Sequence, residues 1–510
     1  MGGVSAPGRA ATAEDGRWPP LELIVVVVGA ASLGAEIAAA RLLAPWFGAS
    51  TIVWANTIGT VLVALSLGYW LGGRAADRRP DRRSLCAVVL AAGVLLALVP
   101  VVSQPLLSVS VKAFSSLSAG AFLGSLAGVL VLVAVPVALL GCAAPWALRI
   151  ALRDPRESGR VAGRLYALST AGSLVGVFAA ALGLVPFVGT RRTFELFALC
   201  LALVAAPALR WRWRALLAVP VVLVALPTGT IKASANGARV IYETETPYQY
   251  ARVLQAPDGV RTLELDEGLA VHSELPAQGW LTGNYWDGMM LDPLLLRGRA
   301  PMAVAVLGNA GGTSVRQLGH FFPRTRIDAV ELDGRLSDIG RRYFDMVAPH
   351  LRVITADARP YLRSTSRRYD AILIDAYRQP YIPFYLTTRE FFALVARRLT
   401  PGGVVVVNVG HPSTSHALER ALAATMRADF AVVTSDPVEP ENTLLLAGDR
   451  ASAGHPALPT DLPPELTGPA QTARARLRPA PRGGPVWTDD RAPVEWLIDR
   501  SIVNYAARGQ

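Results

Sequence analysis

Residues 303–319 read AVAVLGNAGGTSVRQLG, an apolar strand that runs straight into a glycine-rich turn. Three related runs follow. RIDAVELDGRL (326–336) is a second apolar strand ending in Glu331 and Asp333, VITADARPYL (353–362) carries Asp357, and YDAILIDAYRQP (369–380) carries Asp375. Each short apolar run delivers an acid or a glycine turn at its C-terminal end. Ligands of open parallel α/β sheets sit in the crevice beyond those ends. The pattern predicts a Rossmann-like, nucleoside-binding α/β domain over residues 301–450.

Working outward, the alternation predicts strands at 303–307, 326–332, 352–355, 370–375 and 403–409, with helices at 312–321, 334–346, 358–364 and 387–398 between them. VVVVNV (404–409) is an uninterrupted apolar run, as suits a strand buried on both faces. A helix over 414–429 and strands at 430–434 and 443–447 close the domain. Upstream, period-two alternation with turns at Asp258-Gly259 and Glu267-Gly268 predicts a small antiparallel β-unit within 238–300. GNYWDGMMLDPLLL then leads by a helix into the main domain. Residues 451–510 read as an irregular Pro/Ala/Arg-rich loop followed by a docking segment, VWTDDRAPVEWLIDR.

The chain of 510 residues is too long for one ordinary domain, and its 52% hydrophobic content is concentrated before about Ala225. Residues 1–20 read as a disordered cytoplasmic tail. Residues 21–232 read as a multi-pass α-helical membrane domain. It has about seven spans, at 21–43, 52–73, 84–103, 119–141, 164–187, 193–209 and 215–231, each near the ~20 residues a bilayer requires. The first run is too long for a signal-peptide core and has no small-residue cleavage site after it.

The formal charge of +11 comes largely from arginines clustered beside these spans, which points to membrane topology rather than nucleic acid. Arg74, Arg78, Arg79, Arg82 and Arg83 follow the second span, Arg149 to Arg164 the fourth, and Arg210, Arg212 and Arg214 the sixth. The opposite loops hold only Lys112, Arg191 and Arg192. The N-terminus is therefore expected in the cytoplasm, and seven spans place the soluble domain outside; one span fewer places it inside. Glu36, within the first span, requires a polar partner such as Arg41 or Asn56, or a place on a substrate path. The small residues of the spans (Gly29, Ala30, Gly34, Gly172, Gly176) suit close helix packing.

The three cysteines lie in or beside apolar spans and form no disulfide framework. The six histidines show no HExxH or comparable ligand spacing, so no structural metal is expected. No GxxxxGK[ST] occurs, which excludes a P-loop. In LGNAGGTS, Gly308 and Gly312 let the backbone turn tightly and approach a ligand at a helix N-terminus, with Asn309 between them. Glu331 lies near the ~20-residue offset at which an acid accepts ribose hydroxyls, and Asp357, followed by Ala358, is placed to accept from an adenine amino group. Asp333 and Asp357 are equally placed to cap the helices that follow them.

From about Tyr248 to Gly403, and again in TDDRAPVEW, the chain resembles the spermidine synthase (polyamine aminopropyltransferase) family. The residues that carry the resemblance are LGNAGGTSVRQLG, AVELDGRLSDIGRRYF, TADARPYL and YDAILIDA with TTREFFALVARRLTPGGVVVVN. The union with apolar spans is similar to bacterial membrane-fused members. The resemblance implies decarboxylated S-adenosylmethionine or a related nucleoside as co-substrate, with no tightly bound cofactor. It sets Gly308, Gly312, Glu331, Asp357 and Asp375 at the nucleoside, and Tyr285 in the amine-binding segment. A small-molecule substrate and the lipid bilayer are the expected partners, and a homodimer is an expectation of the family.

The chain departs from the family at three motifs. The family's GGGDGG turn is matched with Gly311 opposite its acid, the fourth position of DSSDP is Arg378, and YHEM becomes YWDGM. An aminopropyltransferase attracts a cationic amine and deprotonates it, and acids do both. Asp375 and Asp287 are the candidate catalytic acids, and Tyr285, Tyr377, Arg378 and Gln379 the candidate substrate contacts. Arginine at 378 suits a carboxylate or phosphate better than an ammonium. The primary expectation is a membrane-bound transferase of this family. The alternatives are a ligand-sensing module that has lost aminopropyl transfer, or an enzyme of different chemistry acting on an anionic or external substrate.

Overall fold

The computed structural model describes all residues except 1–17, 115–119, 228, 235–236, 269, 378–380, 412–414, 450–457, 461 and 499–510. The expected disordered tail, Arg378 and Gln379 lie outside the described residues. The helices before Ile231 form one compact unit, and the chain from Lys232 onward forms the bulk of a second.

In the first unit, five helical runs are long and apolar enough to cross a bilayer: Leu21–Phe47, Thr51–Arg78, Arg82–Val111, Phe122–Ala151 and Pro155–Ala208. The last is 54 residues long and breaks at Gly189, whose φ of 86° is non-helical. At ~1.5 Å per residue it is far longer than a ~30 Å hydrocarbon core, so it holds the length of two crossings. The apolar stretch at 215–231 forms an α-helix only over Ala218–Ala225. Glu195 is fully buried and pairs with Arg191 (2.9 Å) and Arg192 (3.0 Å), so one of the two arginine charges is offset locally. Asn56, an expected partner for Glu36, donates instead to the Phe122 carbonyl (3.0 Å) and Ser125 Oγ (2.9 Å).

The small residues set how closely the first helix and helix Ser158–Phe178 approach. A Cβ at Gly172 would overlap the carbonyl of Val26, and one at Gly176 the carbonyl of Ala30. Lipid tails provide no hydrophobic drive between helices, so this backbone proximity supplies the packing.

The second unit begins with a four-stranded antiparallel sheet in the order β1 (Arg239–Glu245), β2 (Tyr250–Gln255), β3 (Arg261–Leu265) and β4 (Val271–Leu275). The main sheet contains β5 (Ala303–Leu307), β6 (Arg326–Glu331), β7 (Leu351–Thr355), β8 (Tyr369–Ile374), β9 (Leu399–Gly410), β10 (Val432–Glu439), β11 (Asn442–Gly448) and the two-residue β12 (Arg478–Pro479). Its order is β12-β10-β11-β9-β8-β5-β6-β7. The strands β5 to β9 pair in parallel, whereas β10 and β11 form an antiparallel hairpin against β9.

Both faces of the main sheet are covered, and β5 shows why an all-apolar strand is required there. Ala303, Ala305 and Leu307 pack on the face that carries Phe391, Phe392 and Leu422. Val304 and Val306 pack on the opposite face with Met289, Met290, Val315 and Leu318. The chain runs outward from β5 through β6 to β7, then returns to β8 on the other side of β5. The direction of winding therefore reverses between β5 and β8, which is where this topology opens a crevice.

One stretch expected to be irregular is a helix, Pro464–Arg476. Pro464 opens it, where a missing N–H costs nothing, and Leu466, Ala470 and Ala473 bury one stripe. Its high Pro/Ala/Arg content hid this spacing.

Gly172→Leu is expected to destabilise the helical unit by roughly 1–3 kcal/mol through overpacking. Gly73→Leu, at a position with open space around the added atoms, should be near neutral. Thermal unfolding of the detergent-solubilised protein makes the comparison, and equal melting temperatures for the two variants would refute the packing argument.

Candidate functional site at the strand tips

The crevice between β5 and β8 gathers most of the residues singled out in the sequence. Gly308 ends β5 with φ 83°, and a Cβ there would overlap the backbone carbonyl of Asp375 at the end of β8. The turn is tied to β6, since Gly308 N–H donates to the Val330 carbonyl at 2.9 Å. Gly312 has φ 88°, and its N–H donates to the Asn309 carbonyl at 2.8 Å. Asn309 Nδ2 lies 3.0 Å from Met346 Sδ, whereas its buried Oδ1 has no hydrogen-bond partner among the described residues. An orphaned acceptor beside such a turn fits a ligand donor.

Glu331, at the tip of β6, reaches this turn. Its Oε2 accepts from Ala310 N–H at 2.8 Å and its Oε1 from Asp333 N–H at 3.0 Å. Burial pushes its carboxyl up to about 7, although the backbone donors pull the other way. Each oxygen keeps acceptor capacity for a ribose hydroxyl. Asp333 and Asp357 act as helix caps, accepting from Arg335 N–H (3.1 Å) and Arg359 N–H (3.0 Å). The second oxygen of Asp357 accepts from Tyr385 Oη at 2.7 Å. Ala358 is the first residue of the capped helix and is buried.

Asp375 is held by two side chains. Its Oδ2 accepts from Tyr285 Oη at 3.0 Å and its Oδ1 from Asn408 Nδ2 at 2.9 Å. Burial raises its carboxyl to about 6, and these two hydrogen bonds limit the rise. Burial, then the neighbouring Asp375 charge, holds the Tyr285 hydroxyl well above its ordinary value, so it stays a donor. Asn408 is oriented in turn, because its Oδ1 accepts from Asn442 Nδ2 at 3.0 Å.

Three sequence assignments are revised by the geometry. Asp287 accepts from Thr282 N–H (3.0 Å) and Oγ1 (3.1 Å), Gly283 N–H (2.9 Å) and Gln317 Nε2 (2.6 Å). With both oxygens committed to the loop, it is a brace rather than a proton acceptor. The Tyr377 hydroxyl donates to the Asn408 carbonyl (3.1 Å) and accepts from Gly410 N–H (2.7 Å), so it fastens the end of β9 rather than facing a substrate. A Cβ at Gly311 would sit 2.9 Å from Ser273 Cβ, so that position has no room for a side chain. The family's acid therefore corresponds to the preceding Ala310, which leads the same Gly-Gly pair, and the turn still lacks that acid.

Residues absent from the sequence reading complete the site. Asn408 and Asn442 orient Asp375, and the lone asparagine inside VVVVNV was the signal for the first. Glu439, at the end of β10, accepts from Tyr285 N–H at 2.9 Å. Glu274, on β4, accepts from Asn284 Nδ2 at 2.9 Å. Burial, with Asp287 and Glu439 adding to it, raises the Glu274 carboxyl, which places these acids within one electrostatic neighbourhood around Tyr285. A separate cavity of about 220 Å³, bounded by Arg297, Arg299, Gly403 and Thr434, lies at the opposite ends of the strands. It meets neither the acids nor the glycine turn, and we assign the chemistry to the strand tips.

Residues 288–438 match the spermine/spermidine synthase domain, a stretch that contains Gly308, Glu331, Asp375 and Asn408. A probable polyamine aminopropyl transferase of Bifidobacterium longum is 30% identical over 292 residues, which cover 52% of this chain and 64% of that protein. Polyamine aminopropyltransferase 2 of Ralstonia nicotianae is 24% identical over 423 residues, covering 77% of this chain and 79% of the relative. The chain spans less than two thirds of the Bifidobacterium protein, and 47% of a Vibrio vulnificus polyamine aminopropyltransferase that is 34% identical over 140 residues. A solved structure of a probable spermidine synthase from Corynebacterium glutamicum gives a TM-score of 0.36 at 23% identity, over 42% of this chain and 81% of that one. Residues 288–438 thus match the spermine/spermidine synthase domain, and the chain is similar to polyamine aminopropyltransferases.

Proposed function

We propose that the protein is a membrane-bound transferase that moves an aminopropyl group from a decarboxylated S-adenosylmethionine-type nucleoside to an amine acceptor. The observation that carries this reading is the half-buried Asp375 carboxylate, held between Tyr285 and Asn408 beside the Gly308 turn. The ribose is read by Glu331 and the nucleoside lies against the glycine turn. The acceptor nitrogen attacks the methylene carbon bonded to the sulfonium sulfur. The C–N bond forms as the C–S bond breaks, and sulfur keeps the electron pair, so methylthioadenosine leaves neutral. The ammonium so formed gives its proton to Asp375, which passes it to solvent.

A cationic acceptor requires negative charge, and the turn and the Arg378 loop lack two acids of the family pattern. Glu274, on β4 and bonded to Asn284, and Glu439, on β10 and bonded to Tyr285 N–H, supply charge. The sensing and anionic-substrate alternatives gain no comparable support. The soluble domain is proposed on the cytoplasmic, arginine-rich side of the membrane. The helical run Trp211–Ala225 has an apolar part, Ala215–Ala225, of roughly 17 Å, short of a ~30 Å hydrocarbon core; read as no crossing, it gives an even number of spans.

Asp375→Asn is expected to lower kcat by about 10²–10⁴-fold with putrescine as acceptor, with methylthioadenosine affinity within a few-fold of wild type. Wild-type kcat/KM should rise with pH through about 6, because only ionised Asp375 accepts the proton. That limb should vanish in the variant, and an unaltered kcat would remove Asp375 from the chemistry. Methylthioadenosine affinity should strengthen as pH rises through about 7, where Glu331 ionises. Glu331→Ala should weaken it by roughly 10–100-fold by calorimetry while far-ultraviolet circular dichroism is retained. Unchanged affinity would cancel the ribose assignment. Reporter fusions after Lys232 should report a cytoplasmic location, and an external signal would restore seven spans.

A further inference from the structure

We propose that His411, His416 and Glu419 form a binding site for a divalent transition-metal ion, with zinc the best match to the donor set. One ligand atom from each of the three residues lies within 4.8 Å of the others. His411 directly follows β9 and is buried, and its backbone N–H donates to the Glu441 carbonyl at 2.8 Å. His416 precedes helix Ala417–Met426, and Glu419 lies in that helix's first turn. The spacing alone resembles no familiar metal motif. His411 at the end of β9 nevertheless lies beside the other two in space.

The surroundings are those of a built site. Nε2 of His411 lies 2.9 Å from Thr443 Oγ1 on β11, and Oε1 of Glu419 accepts from Ser435 Oγ on β10 at 2.9 Å. Outer partners of this kind orient ligating rings and carboxylates and are a regular feature of metal centres. Oε2 of Glu419 lies 2.9 Å from Nδ1 of His416. That separation is close to the ~3.3 Å edge implied by ~2.0–2.1 Å zinc bonds in a tetrahedron, so a small outward rotation of His416 admits an ion between them. The His416 side chain is 48% exposed, which permits the rotation, whereas that of Glu419 is only 3% exposed. A buried carboxylate facing an imidazole and a hydroxyl is short of positive charge, and a cation supplies it.

Two imidazoles and one carboxylate select a borderline ion. Magnesium and calcium prefer oxygen-only shells, and no thiolate is present to favour copper(I). Three protein ligands with one exposed edge leave a fourth position for water. The ion would link the end of β9 to the β10–β11 hairpin and the following helix. Gly410, beside His411, is the residue fastened by the Tyr377 hydroxyl, so the ion would stiffen the strand end that carries Asn408. It is placed to support the site, not to touch the reacting atoms.

The test uses the full-length chain in detergent, with any affinity tag removed, stripped with chelator and titrated with zinc chloride. The expected result is one zinc per chain, a rise in melting temperature, and a tetrahedral visible absorption when cobalt(II) replaces zinc. His416→Ala, at an exposed position, and Glu419→Gln should each weaken binding by at least roughly 10-fold, and magnesium should give no shift. Absence of stoichiometric zinc, or stoichiometric zinc with unchanged affinity in both variants, overturns the proposal. Neither readout requires aminopropyl transfer, so this outcome and that of the proposed activity are separable.

Discussion

The soluble half depends on how closely two strand ends approach. Where β5 gives way to its turn, the backbone of residue 308 lies directly against the carbonyl of Asp375 at the end of β8. Only glycine fits, both for lack of space and because φ is 83°. That contact lets one crevice present the turn, the Glu331 carboxylate and the Asp375 carboxylate together. A side chain at 308 would force the two ends apart and separate the glycine turn and Glu331 from Asp375.

From that contact outward the site is held by polar groups that orient one another. Asp375 is fixed by Tyr285 from the first helix of the domain and by Asn408 from β9, and Asn408 is fixed by Asn442 from β11. Three separate pieces of chain thus orient one carboxylate. The same burial that makes these bonds strong also disfavours charge, which is why Glu331 and Asp375 rise to about 7 and 6. Carboxyls poised there change charge near neutral pH.

The helical unit follows a different physics. Its closest approaches lie at glycines, where backbone meets backbone, because apolar side chains gain nothing by leaving lipid for one another. Its buried acid, Glu195, is matched by two arginines one turn away. Local pairing of this kind weakens a topology argument based on counting arginines, since one of the two positive charges is offset.

The sequence by itself determined the strand–turn–helix order from residue 303 onward, the glycine turn, Glu331 and Asp375, because apolar period and chain-local geometry suffice for them. It also marked the small-residue helix contacts. It did not separate caps from ligand contacts at Asp333 and Asp357, since both roles occupy the same position after a strand. Nor did it separate a loop brace from a catalytic acid at Asp287, whose partner Gln317 lies 30 residues away. Glu274, Asn408, Glu439 and the His411–His416–Glu419 group were decided only by the tertiary structure. Each derives its meaning from strands distant in sequence, and side-chain chemistry at such a position is set by what packs beside it in space rather than by its neighbours along the chain.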